Sequence, residues 1–186
     1  KVGNLLIEQP LPPGAFRSLW NNPEKFAAGF VDFPGYYTTG DAGMIDEGGF
    51  IHILGRTDDI INVAGHRLST GQMEEVVANH PQVVECAVVG AADELKGEMA
   101  VGFVVTRPGC EALEEIRREL VSAIRSDIGP IASPRSIYFV DGLPKTRSGK
   151  ILRNLLRDIV NGAEHTVPQT IEDASVIDQI CNAVRP

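Results

Sequence analysis

The fold is decided by residues 69–89, which read STGQMEEVVANHPQVVECAVV. Ser69 with Gln72 forms the pattern of a capping box, which predicts that a helix begins here. The side chains that follow recur at the spacing of one helical face, namely Met73, Val76, Val77 and His80. Pro81 ends this helix, and the apolar run at 83–89 predicts a buried strand. The sequence therefore predicts a helix followed directly by a strand of a covered sheet.

Downstream residues continue this alternation of strands and amphipathic helices. A second apolar run at 99–105 precedes a helix with apolar side chains on one face, at Leu113, Ile116, Leu120 and Ile124. Gly129 and Pro130 stop that helix, residues 136–140 predict a third strand, and residues 151–160 a final amphipathic helix. This order predicts a small α+β domain over residues 58–162, with a three-stranded sheet flanked by helices.

The residues on either side of this domain have a different texture. Residues 1–57 are rich in Gly, Pro and aromatic residues, with short β-like runs at 4–7, 35–39 and 49–54. They predict the β-rich C-terminal edge of a larger N-terminal domain that lacks its partner strands. Residues 163–186 are predicted to be a C-terminal tail with a short helix at 174–184. Because the chain has no initiator Met, we expect it to be part of something longer.

Composition and charge argue against several classes of protein. The chain has 186 residues, of which 43% are hydrophobic and 23% charged, as in an ordinary soluble globular protein. It contains neither an apolar stretch of roughly 18 residues, as a membrane span needs, nor a signal-peptide pattern. The net charge of −8 argues against a general nucleic-acid binder. Cys86, Cys110 and Cys181 have no metal-ligand spacing, so we predict no metal site, a core position for Cys86 and a reducing intracellular setting.

Positive charge is concentrated before and within the final helix. Residues 145–157 hold five basic side chains and no acidic one: Lys145, Arg147, Lys150, Arg153 and Arg157. The segment LPKTRSGK at 143–150 predicts a mobile loop with Lys150 at the N-terminus of the helix. Such a loop suits one anionic ligand, because a helix N-terminus and ammonium groups attract phosphoryl or carboxylate oxygens. The alternative is a solvated basic loop.

Two further motifs contain residue types that suit a nucleotide-like ligand. In YTTGD at 37–41, Asp41 follows a strand and suits the hydroxyl groups of a ribose, and a hairpin over residues 42–54 would bring Arg56 to the same end. In NVAGHR at 62–67, Gly65 permits a tight turn or the close approach of a narrow ligand. Taken alone, the motifs are also explained by a capped turn and by a hairpin with a surface arginine. His66 is given no catalytic role.

In this order and spacing, these motifs resemble the late motifs of the AMP-forming acyl-CoA synthetases, from about Gly35 to Ile159. LPPG at 11–14 and FPGYY at 33–37 are similar to the propionyl-CoA branch more than to the acetyl-CoA branch. The resemblance implies an enzyme that makes acyl-CoA, AMP and pyrophosphate from a short-chain carboxylate, Mg-dependent ATP and coenzyme A. The rival interpretations are another member of the adenylate-forming superfamily and a non-catalytic binding module that retains the fold.

The resemblance also implies roles for single residues in the adenylation step. Asp41 should bind the ribose hydroxyl groups of ATP, with Arg56 beside it. Asp58 matches the hinge about which the mobile lid domain, residues 58–162, rotates between the two half-reactions. Lys150 matches the lysine that stabilises the adenylation transition state, and it is also the expected target of reversible lysine acylation.

For the thioester step, the resemblance implies that Gly65 lines the pantetheine channel and that Arg125 contacts a phosphate of coenzyme A. Arg67 is a phosphate-binding or a surface residue. The family's phosphate loop and its adenine and carboxylate pockets precede the region present here, so the isolated fragment is expected to be inactive alone. We expect small-molecule substrates, no nucleic-acid or membrane partner, and a location in the cytoplasm or another reducing compartment.

Overall fold

The computed structural model describes residues 3–185, apart from the side chains of Leu54 and Asp58. The chain divides into two compact units, Lys1–Asp58 and Asp59–Pro186, which we call unit 1 and unit 2. One turn of 3-10 helix, Thr57–Asp59, covers the point of division.

Within its described residues, unit 1 is a three-stranded antiparallel sheet with one short helix. The strands are β1 (Gly3–Glu8), β2 (Tyr36–Ile45) and β3 (Ile51–Arg56), with β2 in the middle. The predicted turn between β2 and β3 is confirmed, because Asp46 Oδ1 accepts hydrogen bonds from the N–H groups of Gly48 and Phe50. All three β-like runs of the sequence are therefore strands.

The helix of unit 1, α1 (Pro23–Ala28), is not predicted by the hydrophobic pattern, because six residues are too few to display a helical period. Local chemistry explains it. The Asn22 side chain accepts a hydrogen bond from the Lys25 N–H, and a proline takes the first helical position. The helix contributes to an aromatic cluster with ring centroids 5.2–5.7 Å apart, made of Phe16, Phe26, Phe30 and Tyr37.

The described residues of unit 2 form a sheet of five strands, which corrects the predicted number of three. They are β4 (Ile60–Val63), β5 (His66–Ser69), β6 (Val83–Asp93), β7 (Gly97–Thr106) and β8 (Ser136–Phe139). Strand β7 pairs with β6 in antiparallel and with β8 in parallel orientation. The β4–β5 hairpin adds the two further strands, because Val63 pairs with Gly97 at the start of β7. That pairing joins segments distant in sequence, so no local pattern predicts it.

In the described part of unit 2, four helices cover the two faces of this sheet. They are α2 (Thr70–Ala78), α3 (Leu113–Asp127), α4 (Arg153–Val160) and α5 (Ser175–Val184). Helices α2 and α3 pack on one buried apolar cluster, and α4 and α5 pack on another. The predicted stripe of α3 is buried at Ile116, Leu120 and Ile124. The predicted α+β fold class is therefore confirmed.

The beginnings of α2 and α4 were both predicted from the sequence, and only that of α2 has a side-chain cap. Helix α2 begins as predicted, since the Gln72 N–H donates to Ser69 Oγ at 3.4 Å. Helix α4 begins only at Arg153. The expectation that Lys150 lies at a helix N-terminus is therefore wrong, because residues 150–152 belong to an extended segment that precedes the helix.

The remaining features concern the C-terminal residues and the cysteines. Residues 163–185 contain α5, whose Ile177 and Ile180 are buried. No helix in the described part of the chain is long and apolar enough to cross a membrane, and no described group of His, Cys, Asp and Glu is arranged to hold a metal ion. The three cysteines all lie in the described part and are free. Burial, followed by the nearby Glu74 carboxylate, raises the pKa of Cys86 to about 11, which agrees with its predicted place in the core.

Candidate functional site

The side chains of Asp41 and Arg56 lie together at one end of the unit 1 sheet. The register of β2 and β3 pairs the two residues directly. Arg56 Nη1 is 3.6 Å from Asp41 Oδ1, and it also donates to the Thr39 carbonyl oxygen at 3.3 Å. The Asp41 N–H donates to Thr39 Oγ1. The hairpin thus brings the two predicted nucleotide-binding residues to one place, with both side chains accessible to solvent.

Gly40 allows the arginine to come this close. Its φ of 79° lies in the left-handed region, and an added Cβ would lie 2.9 Å from Arg56 Nη2. The Gly40 carbonyl oxygen accepts a hydrogen bond from Thr57 Oγ1 at 3.1 Å, which ties the end of β3 to β2. The pair offers carboxylate acceptors to hydroxyl groups and guanidinium donors to an anion.

Asp58, the predicted hinge, lies in the 3-10 turn at which unit 1 ends. Its backbone stands between the strand that carries Arg56 and the first strand of unit 2. Its side chain lies outside the described part, so the structure adds only this position to the prediction.

Gly65 lies at the tip of the β4–β5 hairpin. Val63 pairs with His66, which leaves Ala64 and Gly65 as a two-residue loop with φ of 49° and 84°. Positive φ at both positions is typical of a type I′ turn. The Ala64 N–H donates to the Lys96 carbonyl oxygen at 2.8 Å, so the tip contacts the β6–β7 turn. Among the described residues, no heavy atom outside the turn lies within 4 Å of the point where a Gly65 Cβ would be, so its surface is open to a ligand.

The two arginines predicted to bind coenzyme A lie on different faces of unit 2. Arg67 pairs with Asn62 and points away from the face on which its neighbour Leu68 is buried. Arg125 lies in the last turn of α3, the helix that covers the Leu68 face. Both arginines are exposed. The sheet separates them, so the structure does not bring these two predicted residues together.

Lys150 lies on a small hydrogen-bonded turn at residues 145–151, which we call the Lys150 hairpin. The Thr146 N–H donates to the Lys150 carbonyl oxygen at 2.9 Å, and the Lys150 N–H donates to Thr146 Oγ1 at 3.1 Å. Gly149 adopts φ of 82°, and its N–H donates to the Thr146 carbonyl oxygen. The segment predicted to be a mobile loop forms a hydrogen-bonded hairpin, whose backbone bonds define where Lys150 is presented.

The side chains at the tip of this hairpin carry free positive charge. Arg147 and Lys150 are exposed. In the part of the chain that the structure describes, the Lys150 ammonium group has neither a hydrogen bond nor an ion pair. Such a group is available to an anionic partner without first leaving an internal one.

Ion pairs reduce the positive patch predicted around the hairpin. Lys145 Nζ lies 2.7 Å from Glu85 Oε1. Arg153 forms a two-pronged pair with Glu74, with distances of 3.0 Å from Nε to Oε1 and 2.7 Å from Nη2 to Oε2. Hydrogen bonding to Glu74 raises the pKa of the Arg153 guanidinium. These two basic residues therefore serve the attachment of the hairpin and of α4.

Sequence reasoning missed the residues that hold the Lys150 hairpin. Glu74 lies between the buried Met73 and Val77 on α2, and a charged residue at the margin of a buried face is a signal that it has a partner. No comparable signal marks residues 170–172, which pair with the hairpin through a bridge between Thr146 and Ile171. Those backbone contacts depend on the tertiary fold alone.

Comparison with known proteins shows what this arrangement is similar to. Residues 72–150 match the AMP-binding enzyme C-terminal domain. This part of the chain is similar to the C-terminal domain of AMP-binding enzymes. The match begins in the first turn of α2 and ends at Lys150, so it includes strands β6, β7 and β8 of unit 2 and most of the Lys150 hairpin, but not the β4–β5 hairpin.

Similar proteins extend the match over nearly the whole chain. The chain is 50% identical, over 97% of its own length, to acyl-CoA synthetase short-chain family member B, mitochondrial, of Dictyostelium discoideum. It is 48% identical over 96% to human acyl-CoA synthetase short-chain family member 3, mitochondrial, and 44% identical over 95% to acetyl-coenzyme A synthetase of Pyrobaculum arsenaticum. The chain spans 26% of the length of each of these curated relatives.

Solved structures of proteins in complex with an acyl-AMP or ATP contain a similar fold. The anthranilate CoA ligase AuaEII in complex with anthranoyl-AMP superimposes with a TM-score of 0.72 at 32% identity, over 87% of this chain and 30% of that one. ATP-bound MatB from Rhodopseudomonas palustris gives a TM-score of 0.65 at 29% identity, over 84% of this chain and 33% of that one. The first of these proteins is named as a CoA ligase and has an acyl-AMP bound, and the second has ATP bound.

Proposed function

We propose that this chain is the C-terminal part of an AMP-forming, ATP-dependent short-chain acyl-CoA synthetase that acts on propionate or acetate. Residues 1–57 form the edge of its large N-terminal domain and residues 58–162 its mobile lid domain. Residues 163–186 form a C-terminal segment whose helix α5 packs on the sheet of unit 2. The proposal is supported by identities of 44–50% over nearly the whole chain to relatives named as short-chain acyl-CoA or acetyl-CoA synthetases.

The reaction has two steps. In the first, a carboxylate oxygen of the substrate attacks the α-phosphorus of ATP, the bond from that phosphorus to the pyrophosphate oxygen breaks, and acyl-AMP forms. In the second, the thiol of coenzyme A loses its proton and its sulfur attacks the acyl carbon, so that AMP leaves and the thioester remains. Magnesium enters as the ion bound to the ATP phosphates.

In the first step, Asp41 accepts hydrogen bonds from the ribose hydroxyl groups, and Arg56 donates to the same nucleotide. The support for this assignment is their direct cross-strand pairing and the close approach that Gly40 permits. Fixed donors and acceptors bind a nucleotide with less loss of side-chain freedom than mobile ones. Asp58 is the hinge about which the lid domain moves between the two steps.

The observation that carries the proposal is the exposed Lys150 ammonium, without an internal partner in the described residues, on a hydrogen-bonded hairpin. Negative charge accumulates on the phosphoryl oxygens as the carboxylate attacks. A cation held next to those oxygens stabilises the transition state more than the ground state. Lys150 therefore acts in the first step and not in the second. Acylation of Lys150 would remove its charge and switch the first step off.

In the second step, Gly65 lines the channel for the pantetheine chain, and Arg125 contacts a phosphate of coenzyme A. The open surface at the type I′ turn supports the first assignment. Arg67 lies on the other face of the sheet and does not share that phosphate. The protein works in a reducing compartment, the cytoplasm or another, in which its three cysteines stay free.

The test uses the full-length protein that contains this chain, with acetate, propionate and butyrate supplied separately. We expect acyl-CoA, AMP and pyrophosphate in equal amounts, with one of the two shorter acids preferred. The 186-residue chain alone is expected to make no thioester. Formation of ADP and phosphate, or no thioester from any of the three acids, would contradict the proposal.

The second candidate is transfer of the acyl group to an amine instead of coenzyme A. It is supported by a TM-score of 0.67 at 30% identity to the amide bond synthetase McbA from Marinactinospora thermotolerans. Replacing coenzyme A by a primary amine in the same assay separates the two, because only this candidate predicts an amide. A non-catalytic module would bind ATP and release no pyrophosphate.

A further inference from the structure

The C-terminal segment pairs with the Lys150 hairpin, and none of the roles above uses this contact. The Arg147 N–H donates to the Thr170 carbonyl oxygen at 3.0 Å, and the Glu172 N–H donates to the Lys145 carbonyl oxygen at 2.8 Å. These bonds flank an antiparallel bridge between Thr146 and Ile171. Residues 170–172, which we call the strap, therefore pair with one side of the hairpin.

The strap is attached to unit 2 on its own account. Ile171 packs against the apolar cluster beneath α4 and α5. Helix α5 starts soon after it and buries Ile177 and Ile180 in the same cluster. Asp173 Oδ1, at the beginning of α5, accepts hydrogen bonds from the N–H and Oγ of Ser175. The strap is thus a fixed support for the hairpin and not a loose tail.

The hairpin has few other backbone attachments. Thr146 and Lys150 bond to one another, and the Leu152 N–H donates to the Pro144 carbonyl oxygen at 2.8 Å, both within the hairpin and its base. The Lys145 ion pair with Glu85 holds one side chain. Among the described residues, the strap supplies the only backbone hydrogen bonds that reach the hairpin from elsewhere in the chain. Its removal would leave the turn attached at its base only.

We propose that the strap is a positioning element for Lys150, and that Glu172 acts through its backbone N–H. This inference rests on the proposed role of Lys150 in adenylation. A lysine side chain is long and flexible, so the position of its ammonium group depends on how firmly its backbone is held. A small displacement of a charge from a developing oxyanion removes much of its effect on the rate. The strap touches no substrate and fixes the backbone that presents the charge.

Two variants at one position separate the backbone bond from the side chain. Glu172→Pro removes the N–H donor to Lys145, whereas Glu172→Ala keeps it. In the full-length protein, we expect Glu172→Pro to lower pyrophosphate exchange about fivefold, since one net hydrogen bond corresponds to roughly that factor. We expect thioester formation from supplied acyl-AMP to stay unchanged. Glu172→Ala should resemble the wild type in both reactions, and an equal loss in both reactions of Glu172→Pro would overturn the inference.

Measurements on this chain test the strap without any assay of activity. In the wild type, we expect the amide hydrogens of Arg147 and Glu172 to be protected from exchange. In Glu172→Pro, trypsin should cut faster after Arg147 and Lys150 while the melting temperature stays near that of Glu172→Ala. Unprotected amides in the wild type, or unchanged cleavage in the proline variant, would overturn the inference.

These experiments distinguish a failure of the proposed function from a failure of the proposed role of the strap. A wild-type full-length protein without pyrophosphate exchange contradicts the proposed function, while the exchange and cleavage experiments still report on the strap. If Glu172→Pro unfolds the chain, the amide protection of Arg147 and Glu172 in the wild type still tests whether the strap holds the hairpin.

Discussion

The two units of the chain differ in how their sheets are covered. Unit 2 buries two apolar clusters, one on each face of its sheet. Among the described side chains of unit 1, Ala42 is the only buried apolar one. The same unit exposes large apolar side chains to the extent of 98% for Trp20, 71% for Phe50, 66% for Ile45 and 65% for Ile53. Unit 2 has a core of its own, whereas unit 1 leaves many of its large apolar side chains exposed.

The candidate residues of the two units therefore have unequal structural support. Lys150 projects from a hairpin attached to a packed unit, whereas Asp41 and Arg56 lie on a sheet with little core beneath it. Apolar side chains this exposed are typical of a surface that another part of a protein covers. We therefore expect mutations in unit 2 to change stability strongly, and equivalent mutations in unit 1 to change it little in this chain.

The largest contrast is expected for phenylalanines in the two units. Phe103 is fully buried and Phe50 is 71% exposed. Phe103→Ala should lower the free energy of unfolding by about 3–5 kcal/mol, because it removes a large buried side chain and leaves a cavity. Phe50→Ala should change it by about 0.5 kcal/mol or less. Urea unfolding followed by far-UV circular dichroism measures both, and equal losses would break the comparison.

A smaller contrast is expected for the ion pairs. Glu74→Gln weakens the two-pronged pair with Arg153, in which the Glu74 side chain is only 15% exposed. We expect a loss of about 2–3 kcal/mol, the size of a hydrogen bond to a charged group. Asp41→Asn weakens the longer and more accessible pair with Arg56, for which about 1 kcal/mol or less is expected. The same unfolding experiment serves, and a larger loss for Asp41→Asn would reverse the expected order.

The smallest effects are expected at a feature that the two units share, which is a turn carboxylate with a lowered pKa. The His52 hydrogen bond lowers the pKa of Asp46, and backbone N–H groups, first that of Lys96, lower the pKa of Asp93. A carboxyl whose pKa falls on folding adds stability above its unfolded value of 3.8, and this stability is lost as the pH falls through the lower folded value. Asp46→Asn should therefore destabilise the chain slightly at neutral pH and not in strong acid. Carboxyl NMR titration checks it, and folded pKa values at or above 3.8 would contradict it.

Local signals in the sequence are enough to predict much of unit 2. Ser69 and Gln72 mark the beginning of α2, and the apolar period at Ile116, Leu120 and Ile124 marks the buried face of α3. These features depend on residues within one or two helical turns of each other. The pairing of Asp41 with Arg56 was predictable for the same reason, since a single hairpin joins them.

Contacts between distant segments were not predictable from the pattern. The β4–β5 hairpin joins the sheet through Val63 and Gly97, which no periodicity links. Lys145 and Arg153 are part of a basic cluster in the sequence, but carboxylates from other elements pair with both. The separation of Arg67 from Arg125 by the sheet likewise follows from the tertiary fold. Short helices such as α1 are missed by sequence analysis, because a cap is their only signal.

The central claim is that a cation on unit 2 stabilises the transition state of the first half-reaction only. The most direct test is the ratio of the two half-reaction rates in Lys150→Ala of the full-length protein, with Arg147→Ala as a control from the same hairpin. We expect pyrophosphate exchange to fall about 10²–10³-fold in Lys150→Ala while thioester formation from supplied acyl-AMP stays near the wild-type rate. Arg147→Ala should leave the ratio unchanged. An equal fall of both half-reactions in Lys150→Ala would contradict the account.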